Sequence, residues 1–426
     1  MTRFRSVALL GDREFLALAG TAFARSQAYS TILIALALYA DVFRTSGVVE
    51  GLFGTAFALT QLVVILPLGR TVDTGNAKRW LLAGFLVNVG VFLGFVFVES
   101  AVHVVLIRMV QGVGASILWI TGATVVGEIS PDDEQGRWLG SYNQVAAVSS
   151  MVGDLVGGYL LFAHGFTVPY LVLTAITLGA FVLVAVALRD DPGGSADPED
   201  GGLETFRSLL SLPMLRALVG FRFAFSFGKM AVIIFLPIYA RTSFGISALA
   251  IGWILAGGKL TKGLLQGLVG SLTDRRDGTY RFVAVGALLY GVGTALIPVA
   301  GAVRGAVEPV RVELLGGTQA LGAPFFALFG AYAVIGVADS IRLPASMSLF
   351  VDEGARYDSV ASAMSLRSVS WKVGQVVGPV LVGATMDLAS VAAGFYLAAG
   401  FIAVATAGFA VAARRAHDEP MDPRRD

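Results

Sequence analysis

The sequence contains no cysteine and only three histidines among its 426 residues. Without cysteine the chain has no disulfide, no thiol nucleophile and no cysteine-ligated zinc. His103, His164 and His417 are far apart, and each lies near a predicted loop or tail, so a histidine metal site or catalytic triad is not expected. We therefore expect no enzyme activity, no resident metal and no cofactor.

Charge is also scarce, because only 14% of the residues are charged, against about 25% in soluble proteins. Hydrophobic residues make up 56% of the chain, and the mean hydropathy is +0.75. The net charge of +1 lacks the basic excess of a nucleic-acid-binding protein. The composition therefore predicts an integral membrane protein that does not bind nucleic acid.

Long apolar stretches divide the chain into two sets of six. Each is close to the ~20 residues that a helix needs to cross the hydrocarbon core. The stretches lie at 15–40, 49–69, 80–98, 102–127, 138–162 and 168–188, and then at 217–240, 248–270, 282–301, 323–350, 360–385 and 391–413. The predicted fold is an all-α integral membrane protein with twelve transmembrane helices in two six-helix bundles.

The predicted bundles cover residues 1–188 and 214–413, with a hydrophilic linker at 189–213 and a tail at 414–426. If the N-terminus is inside, eighteen Lys and Arg residues lie in inner segments and four lie in outer loops. Because basic residues favour the cytoplasmic side, both termini are predicted to be cytoplasmic, in a multi-pass protein of the cell membrane.

Short patterns recur in the two halves, which indicates an internal repeat. The repeated pairs are Tyr39-Ala40 with Tyr239-Ala240, Gly69 and Asp73 with Gly270 and Asp274, and Gly153-Asp154 and Gly157 with Gly374-Gln375 and Gly378. The first two pairs are offset by about 200 residues and the last by 221. The larger offset is explained by a long outer loop at 302–322, whose counterpart in the first half is very short. Parallel repeats of this kind occur in transporters whose solute site lies near the midplane.

Three motifs resemble those of the major facilitator superfamily. The segment 69–79 is similar to motif A, and a less complete copy of the motif includes Gly270 and Asp274 in the second half. The segment 108–115, with Arg108, Gln111 and Gly112, is similar to motif B. The segment 153–158 is similar to motif C of the proton-coupled drug antiporters, but Asp154 stands where that motif has proline.

This resemblance implies a secondary transporter that works by alternating access. It also implies that the motif A residues gate the motion through a latch that forms in one state and breaks in another. Those residues are Gly69, Asp73, Gly75, Arg79, Gly270 and Asp274. The alternative for the basic residues of the segment, Lys78 and Arg79, is that they only set the topology.

Nine cations fall inside the predicted spans, although each is costly there. They are Arg25, Arg108, Arg222, Lys229, Lys259, Lys262, Arg342, Arg367 and Lys372. The acids well inside the spans are Asp154 and Asp339, while Glu50 and Glu128 lie near helix ends. Four of only five lysines are in spans. The near-neutral total therefore conceals a strongly cationic interior.

Five of these cations are predicted to bind the solute: Arg25, Arg222, Lys229, Lys259 and Lys372. Arg25 and Arg222 occupy nearly equivalent positions of the repeat, and this pair resembles the paired-arginine clamp of organophosphate and phosphate antiporters. Arg108 and Arg367 either line the cavity or extend to a helix end. Asp339 and Arg342 are three residues apart, so mutual neutralisation is an alternative to a functional role.

Asp154 is the predicted proton-coupling residue, because a carboxyl in the membrane interior can load and release a proton. A structural ion pair and a solvated position on the cavity wall are the alternatives. The predicted function is transport of a small organic or phosphorylated anion, with protons or a counter-ion as the coupling partner. The alternatives are proton-coupled efflux of amphipathic drugs, and a membrane sensor without transport. A single chain already supplies both bundles, so a functional monomer is expected.

Overall fold

Helices dominate the structure, a computed structural model that describes residues 9–73, 75–131, 134–190, 203–273, 279–314, 317–357 and 359–418. The first six long helices are α1 (Arg13–Phe43), α2 (Gly47–Asp73), α3 (Ala77–Val96), α4 (Ala101–Ile129), α5 (Gln135–His164) and α6 (Thr167–Ala187). The second six are α7 (Pro213–Phe244), α8 (Ala248–Thr273), α9 (Thr279–Leu296), α10 (Ala323–Ala355), α11 (Val360–Leu388) and α12 (Val391–Asp418).

These helices confirm the predicted fold class. Within the described ranges, eleven are long and apolar enough to cross a membrane. The long helix outside that set is α11, whose apolar residues are interrupted by Arg367, Lys372 and Gln375. Polar residues inside a membrane helix are expected to face the protein interior. The side of α11 that carries these three residues is therefore expected to face the other helices.

Local capping defines where the two central helices begin and end. The Asp12 side chain accepts hydrogen bonds of 2.9 Å from the backbone N–H groups of Glu14 and Phe15, which stabilises the start of α1. The chain leaves α1 at Arg44 and α7 at Gly245, both in the left-handed region, with φ of 46° and 65°. These ends follow Tyr39-Ala40 and Tyr239-Ala240, so the repeat in the sequence marks equivalent helix ends.

Two shorter elements add to the helical fold. The long loop after α9 forms an antiparallel hairpin, β1 (Val310–Leu314) and β2 (Gly317–Leu321). The Ser247 hydroxyl donates a 2.5 Å hydrogen bond to Gln319, which ties the hairpin to the α7–α8 connection. We call this side of the molecule the hairpin face, and the side with the start of α1 and the end of α12 the terminal face.

Part of the predicted linker is a short helix, Leu203–Ser211, while residues 191–202 lie outside the described ranges. Its Leu209 is buried and packs in one apolar cluster with Leu215, Ala363 and Leu366. The segment before α7 therefore rests on the terminal-face ends of α7 and α11.

The predicted repeat appears in the helix packing. In the first bundle α1 packs on α5 and α6, and α3 packs on α4 and α6; α7, α9, α10, α11 and α12 repeat these contacts in the second. A Cβ atom on Gly153 would lie 2.7 Å from the Gln27 carbonyl of α1, and one on Gly374 would lie 2.5 Å from the Phe223 carbonyl of α7. The matched glycines therefore permit the same close helix contact in both bundles.

The bundles meet through α2 with α11, α5 with α8, and α1 with α7. Near the hairpin face, the Asp387 carboxylate accepts hydrogen bonds from the backbone N–H groups of Gly47 (2.6 Å) and Val48 (2.9 Å). A carboxylate is favourable there because the first N–H groups of a helix lack partners and carry positive partial charge. Asp387 of one bundle thus caps α2 of the other.

Close backbone contact at this interface leads to a first prediction. A Cβ atom on Gly383 would collide with the Gly47 carbonyl oxygen, so Gly383→Val should push α2 and α11 apart. Overpacking of this kind costs about 1–3 kcal/mol, and we expect a lower Tm. Because the chain has no cysteine, a single Thr55→Cys reporter can follow the opening. Thr55 is buried and donates a 2.7 Å hydrogen bond to the Val376 carbonyl.

The cysteine at position 55 should react with maleimide faster in the Gly383→Val background than in the parent. Gly400→Val is the matched control, since a Cβ atom there meets no heavy atom within 4 Å. Equal labelling rates and equal Tm values for the two valine variants would contradict the packing described here.

Candidate functional site

A buried carboxylate, Asp339 on α10, is shared by three cations. The Lys229 ammonium on α7 is paired with Asp339 Oδ2, and the Lys262 ammonium on α8 lies 3.8 Å from the same oxygen. Arg342 Nη2 donates to Asp339 Oδ1 at 3.0 Å. A buried charge needs a partner, but here one carboxylate faces three cations. The cluster therefore has a surplus of positive charge.

Asp339 and Arg342 do form the pair that their spacing suggests, one turn apart on α10. The pair is not mutually neutral, however, because Lys229 and Lys262 share the same carboxylate. The Arg342 guanidinium also stacks on the Phe225 ring at 3.7 Å. The neutralisation alternative therefore describes only part of this cluster.

Lys259 on α8 reaches across the interface between the bundles. Its ammonium lies 2.6 Å from Asp154 Oδ2 on α5 and donates hydrogen bonds to the Ser30 (2.9 Å) and Ser150 (2.8 Å) hydroxyls. Asp154 is completely buried. Ser30 lies on α1, so this node joins three helices and both bundles.

A cavity of about 150 Å³ lies beside these residues. Its walls come from α7, α8, α9 and α10, and they are Lys229, Ile233, Gly258, Lys259, Lys262, Tyr290, Tyr332, Ile335, Gly336 and Asp339. A Cβ atom on Gly336 would collide with the Gly258 carbonyl, so these glycines bring α8 and α10 close together. The cavity thus combines three ammonium groups, one carboxylate and two tyrosine rings.

Lys372 on α11 makes a second polar contact between the bundles, a hydrogen bond to Gln61 Oε1 on α2. Gln375, at the repeat position equivalent to Asp154, is buried and donates a 3.2 Å hydrogen bond to the Met230 sulfur. The repeat is therefore symmetric in packing and asymmetric in charge, since the N-terminal half has the acid and the C-terminal half an amide.

The structure places the two arginines of the predicted clamp on separate aromatic rings. Arg25 lies over the Trp119 ring at 4.1 Å, and Arg222 over the Trp371 ring at 4.0 Å. Each arginine and its tryptophan belong to the same bundle. Within the described ranges the two guanidinium groups share no hydrogen-bond partner, so the clamp remains a prediction.

Motif B ties α4 to α2. Arg108 Nε donates a 2.9 Å hydrogen bond to the Phe53 carbonyl, and Nη1 a 2.6 Å bond to Gln111 Oε1. A Cβ atom on Gly112 would lie 2.6 Å from the Phe57 carbonyl, so the glycine permits close packing. Arg108 is only 1% exposed and does not reach a helix end. Arg367 is half-buried, and its Nε has no hydrogen-bond partner in the described part of the chain.

The motif A segment links α2, α3 and the end of α6. Asn76 Oδ1 caps α3 by accepting a 3.0 Å hydrogen bond from Arg79 N, and a Cβ atom on Gly75 would lie 2.6 Å from the Thr71 carbonyl. Lys78 donates to the Leu188 carbonyl (2.7 Å) and to the Asp190 carboxylate (2.9 Å). This hydrogen bond lowers the pKa of the exposed Asp190 carboxyl. Lys78 therefore holds the connection after α6, beyond any effect on topology.

Several of the predicted motif A residues lie at or beyond the edge of the described part of the chain. Gly69 and Gly270 lie in the last turns of α2 and α8, and Asp73 is the final residue of α2. The environment of the Asp73 side chain and all of Asp274 are outside the described residues. The latch proposed for motif A therefore remains a prediction.

Sequence reasoning missed some residues that line the cavity or contact the interior lysines. Lys262 was expected inside a span but not in the solute site, although its spacing of three residues from Lys259 places both on one helix face. Ser30, Ser150 and Gln61 gave a weaker signal, because small polar residues are common in membrane helices. Nothing in the sequence singled out Tyr290 or Tyr332.

Comparisons with known proteins agree with the architecture. The sequence profile of the Major Facilitator Superfamily matches residues 18–228 and 218–425. An uncharacterized MFS-type transporter of Methanocaldococcus jannaschii is 21% identical over 363 residues, 84% of this chain and 87% of that protein.

Multidrug resistance protein 1 of Bacillus subtilis is 24% identical over 222 residues, 52% of this chain and 57% of the relative. Among solved structures, an inward-facing bacterial homolog of the human lysosomal transporter Spinster has a TM-score of 0.73 at 16% identity. That alignment covers 96% of this chain and 98% of the homolog. At this identity the likeness concerns the fold.

Proposed function

The chain belongs to the Major Facilitator Superfamily, and from this premise we propose that it is a secondary transporter for a small organic or phosphorylated anion. It works by alternating access and is driven by protons or by counter-anion exchange. A single chain is the functional unit in the cell membrane. Both termini are cytoplasmic, as the distribution of Lys and Arg between the loops supports.

The charge around the central cavity carries this proposal. Lys229, Lys262 and Arg342 share the single carboxylate of Asp339, whereas Lys259 is paired with Asp154. Uncompensated charge in a membrane interior is strongly unfavourable, so an anionic solute would complete the site. Lysine suits this role because a compact ammonium can rotate its three donors toward different oxygens.

Contacts between the bundles support alternating access. Asp387 with Gly47 and Thr55 with Val376 lie on the hairpin-face side of mid-depth, and Lys372 with Gln61 lies at mid-depth. On the terminal-face side, Asn143 of α5 and Ser365 and Ser368 of α11 are exposed. We propose that this conformation is open toward the terminal face, and that rocking of the bundles breaks the contacts near the hairpin face.

Proton coupling is assigned to Asp154. Its carboxyl is buried in the N-terminal bundle, and its cationic partner, Lys259, belongs to the other bundle. Separation of the bundles would remove that partner and favour protonation of the carboxyl. The ion pair, an alternative to coupling in the sequence analysis, would then be the part of the coupling device that changes between states.

Transport by the purified protein in liposomes tests the proposal. Uptake of labelled glycerol 3-phosphate or succinate should fall at least about tenfold in Lys229→Gln, because the ammonium beside Asp339 is lost. Arg25→Ala should also lower uptake if Arg25 binds the solute. Arg304→Gln, exposed near the hairpin face, is the charge-matched control and should transport like the parent. Full transport by Lys229→Gln would contradict a role for the lysine cavity.

Two observations favour a second function, proton-coupled efflux of amphipathic drugs. The matched relative in Bacillus subtilis is named for multidrug resistance, and Tyr290 and Tyr332 give the cavity aromatic walls. An exporter of cationic drugs would use Asp154 or Asp339 to bind its solute. Expulsion of a cationic dye under a proton gradient, with no movement of anions, would establish this function instead.

A further inference from the structure

Three arginines in the C-terminal bundle have buried N–H groups with no partner. The atoms are Nε and Nη1 of Arg222, Nε and Nη1 of Arg342, and Nε of Arg367, and none has a hydrogen-bond partner among the described residues. Arg222 is 6% exposed and Arg342 is 1% exposed. Buried polar groups are almost always hydrogen-bonded, and a charged donor without an acceptor is especially unfavourable. These donors therefore call for an acceptor that the described residues do not supply.

The three side chains converge from different helices, α7, α10 and α11. Arg342 stacks on Phe225, one turn after Arg222 on α7, and Arg222 stacks on Trp371, one turn after Arg367 on α11. Three guanidinium groups repel one another at such a site, so their convergence also requires negative charge.

Among the described residues, protein carboxylates do not meet this requirement. Asp339 is the acid that acts on Arg222, and its oxygens are already taken by Lys229, Lys262 and Arg342. This one carboxylate therefore already compensates two lysines of the cavity and one arginine. Arg342 contacts Asp339 through Nη2, and its Nε and Nη1 have no hydrogen-bond partner among the described residues.

Aromatic rings fix the orientation of two of the arginines. The Arg222 guanidinium lies 4.0 Å from the centre of the Trp371 ring, and that of Arg342 lies 3.7 Å from the centre of the Phe225 ring. A ring over one face leaves the in-plane N–H groups free to donate. This fork geometry matches the paired oxygens of phosphate and carboxylate.

We propose that Arg222, Arg342 and Arg367 form an oxyanion subsite next to the lysine-lined cavity, on its terminal-face side. Arg222 precedes Lys229 by seven residues on α7, about 10 Å toward the terminal face. The subsite receives the phosphate or carboxylate group of the solute as it passes between the cavity and the terminal face. This inference deepens the proposed function and rests on it for the nature of the solute, but the binding of a free oxyanion tests it independently of transport.

The test uses the purified full-length chain with inorganic phosphate as the probe and succinate as the carboxylate probe. Arg222→Gln and Arg367→Gln should each weaken phosphate binding by about tenfold or more, because each removes charged donors. Arg356→Gln is the control, since Arg356 lies just beyond α10, is mostly exposed and pairs with Glu353 at 2.9 Å. Arg222→Lys, which keeps the charge and loses the fork, should bind less tightly than the parent.

Tryptophan fluorescence gives a second readout that a loss of folding would not imitate. Phosphate should change the emission of the parent, because Arg222 stacks on Trp371, and Trp371→Phe should bind phosphate without that change. Equal phosphate affinity in the parent, Arg222→Gln and Arg367→Gln would overturn the subsite. So would a parent that binds neither probe at millimolar concentration while its vesicles still accumulate anions. Phosphate binding at the arginines in a protein that moves only cations would instead refute the proposed function.

Discussion

Asp339→Asn is expected to destabilise the protein by about 3–5 kcal/mol and to abolish transport, because removing one partner of a buried ion pair leaves its charges uncompensated. Here one substitution affects three cations, since Lys229, Lys262 and Arg342 all use this carboxylate. Thermal unfolding of the purified protein, followed by fluorescence or by loss of the monodisperse peak, measures the first effect, and liposome uptake measures the second.

Asp352→Asn is the matched control on the same helix. Asp352 is exposed and accepts a 3.1 Å hydrogen bond from Ser348, so its loss should change the Tm little. A double variant, Asp339→Asn with Lys229→Met, should recover part of the lost stability because it removes one unpaired charge. If Asp339→Asn unfolds at the parent temperature, the carboxylate does not hold this cluster together.

Asp154→Asn is expected to stop proton-driven accumulation while sparing counterflow exchange. Asparagine cannot carry a proton, but it is similar in size and retains a polar contact for Lys259 and Ser30. Exchange needs only the movement of the loaded carrier, whereas accumulation needs the coupled proton. Measurement of both modes in the same proteoliposomes separates coupling from a general loss of activity.

Asp190→Asn provides the control for this second substitution, because Asp190 is exposed beyond α6 and pairs with Lys78. It should leave both transport modes unchanged. Accumulation by Asp154→Asn at the parent level would exclude Asp154 from coupling and leave its ion pair with Lys259 as a structural contact. Loss of both modes would show that the pair is needed for the motion itself.

The sequence was sufficient to predict the fold because membrane helices leave strong local signals. Twelve apolar stretches match the twelve long helices of the described chain, and the glycines of the repeat, such as Gly153 and Gly374, occupy equivalent helix contacts. The hairpin of Val310–Leu314 and Gly317–Leu321 was visible only as extra loop length, because strands of five residues are too short to give a clear apolar pattern. The helix Leu203–Ser211 was not predicted, because the polar residues before it led the whole segment 189–213 to be assigned to the linker.

The site was predictable in its charges but not in their pairing. The placement of four lysines within spans predicted Lys229, Lys259 and Lys372 as interior groups, and all three make interior polar contacts. Their partners depend on which helices meet across the two bundles, which the sequence does not encode locally. Lys259 with Asp154, and Lys372 with Gln61, are therefore visible only in three dimensions.

Transport of matched charged and uncharged solutes tests most directly whether the cationic interior carries an anion. Purified protein in liposomes is given labelled phosphate esters and dicarboxylates, each beside its uncharged parent alcohol or diester. We predict that at least one anion accumulates, that its uncharged counterpart does not, and that Lys229→Gln abolishes the difference. Accumulation of the uncharged members at the same rate, or expulsion of a cationic dye with no anion movement, would contradict this account.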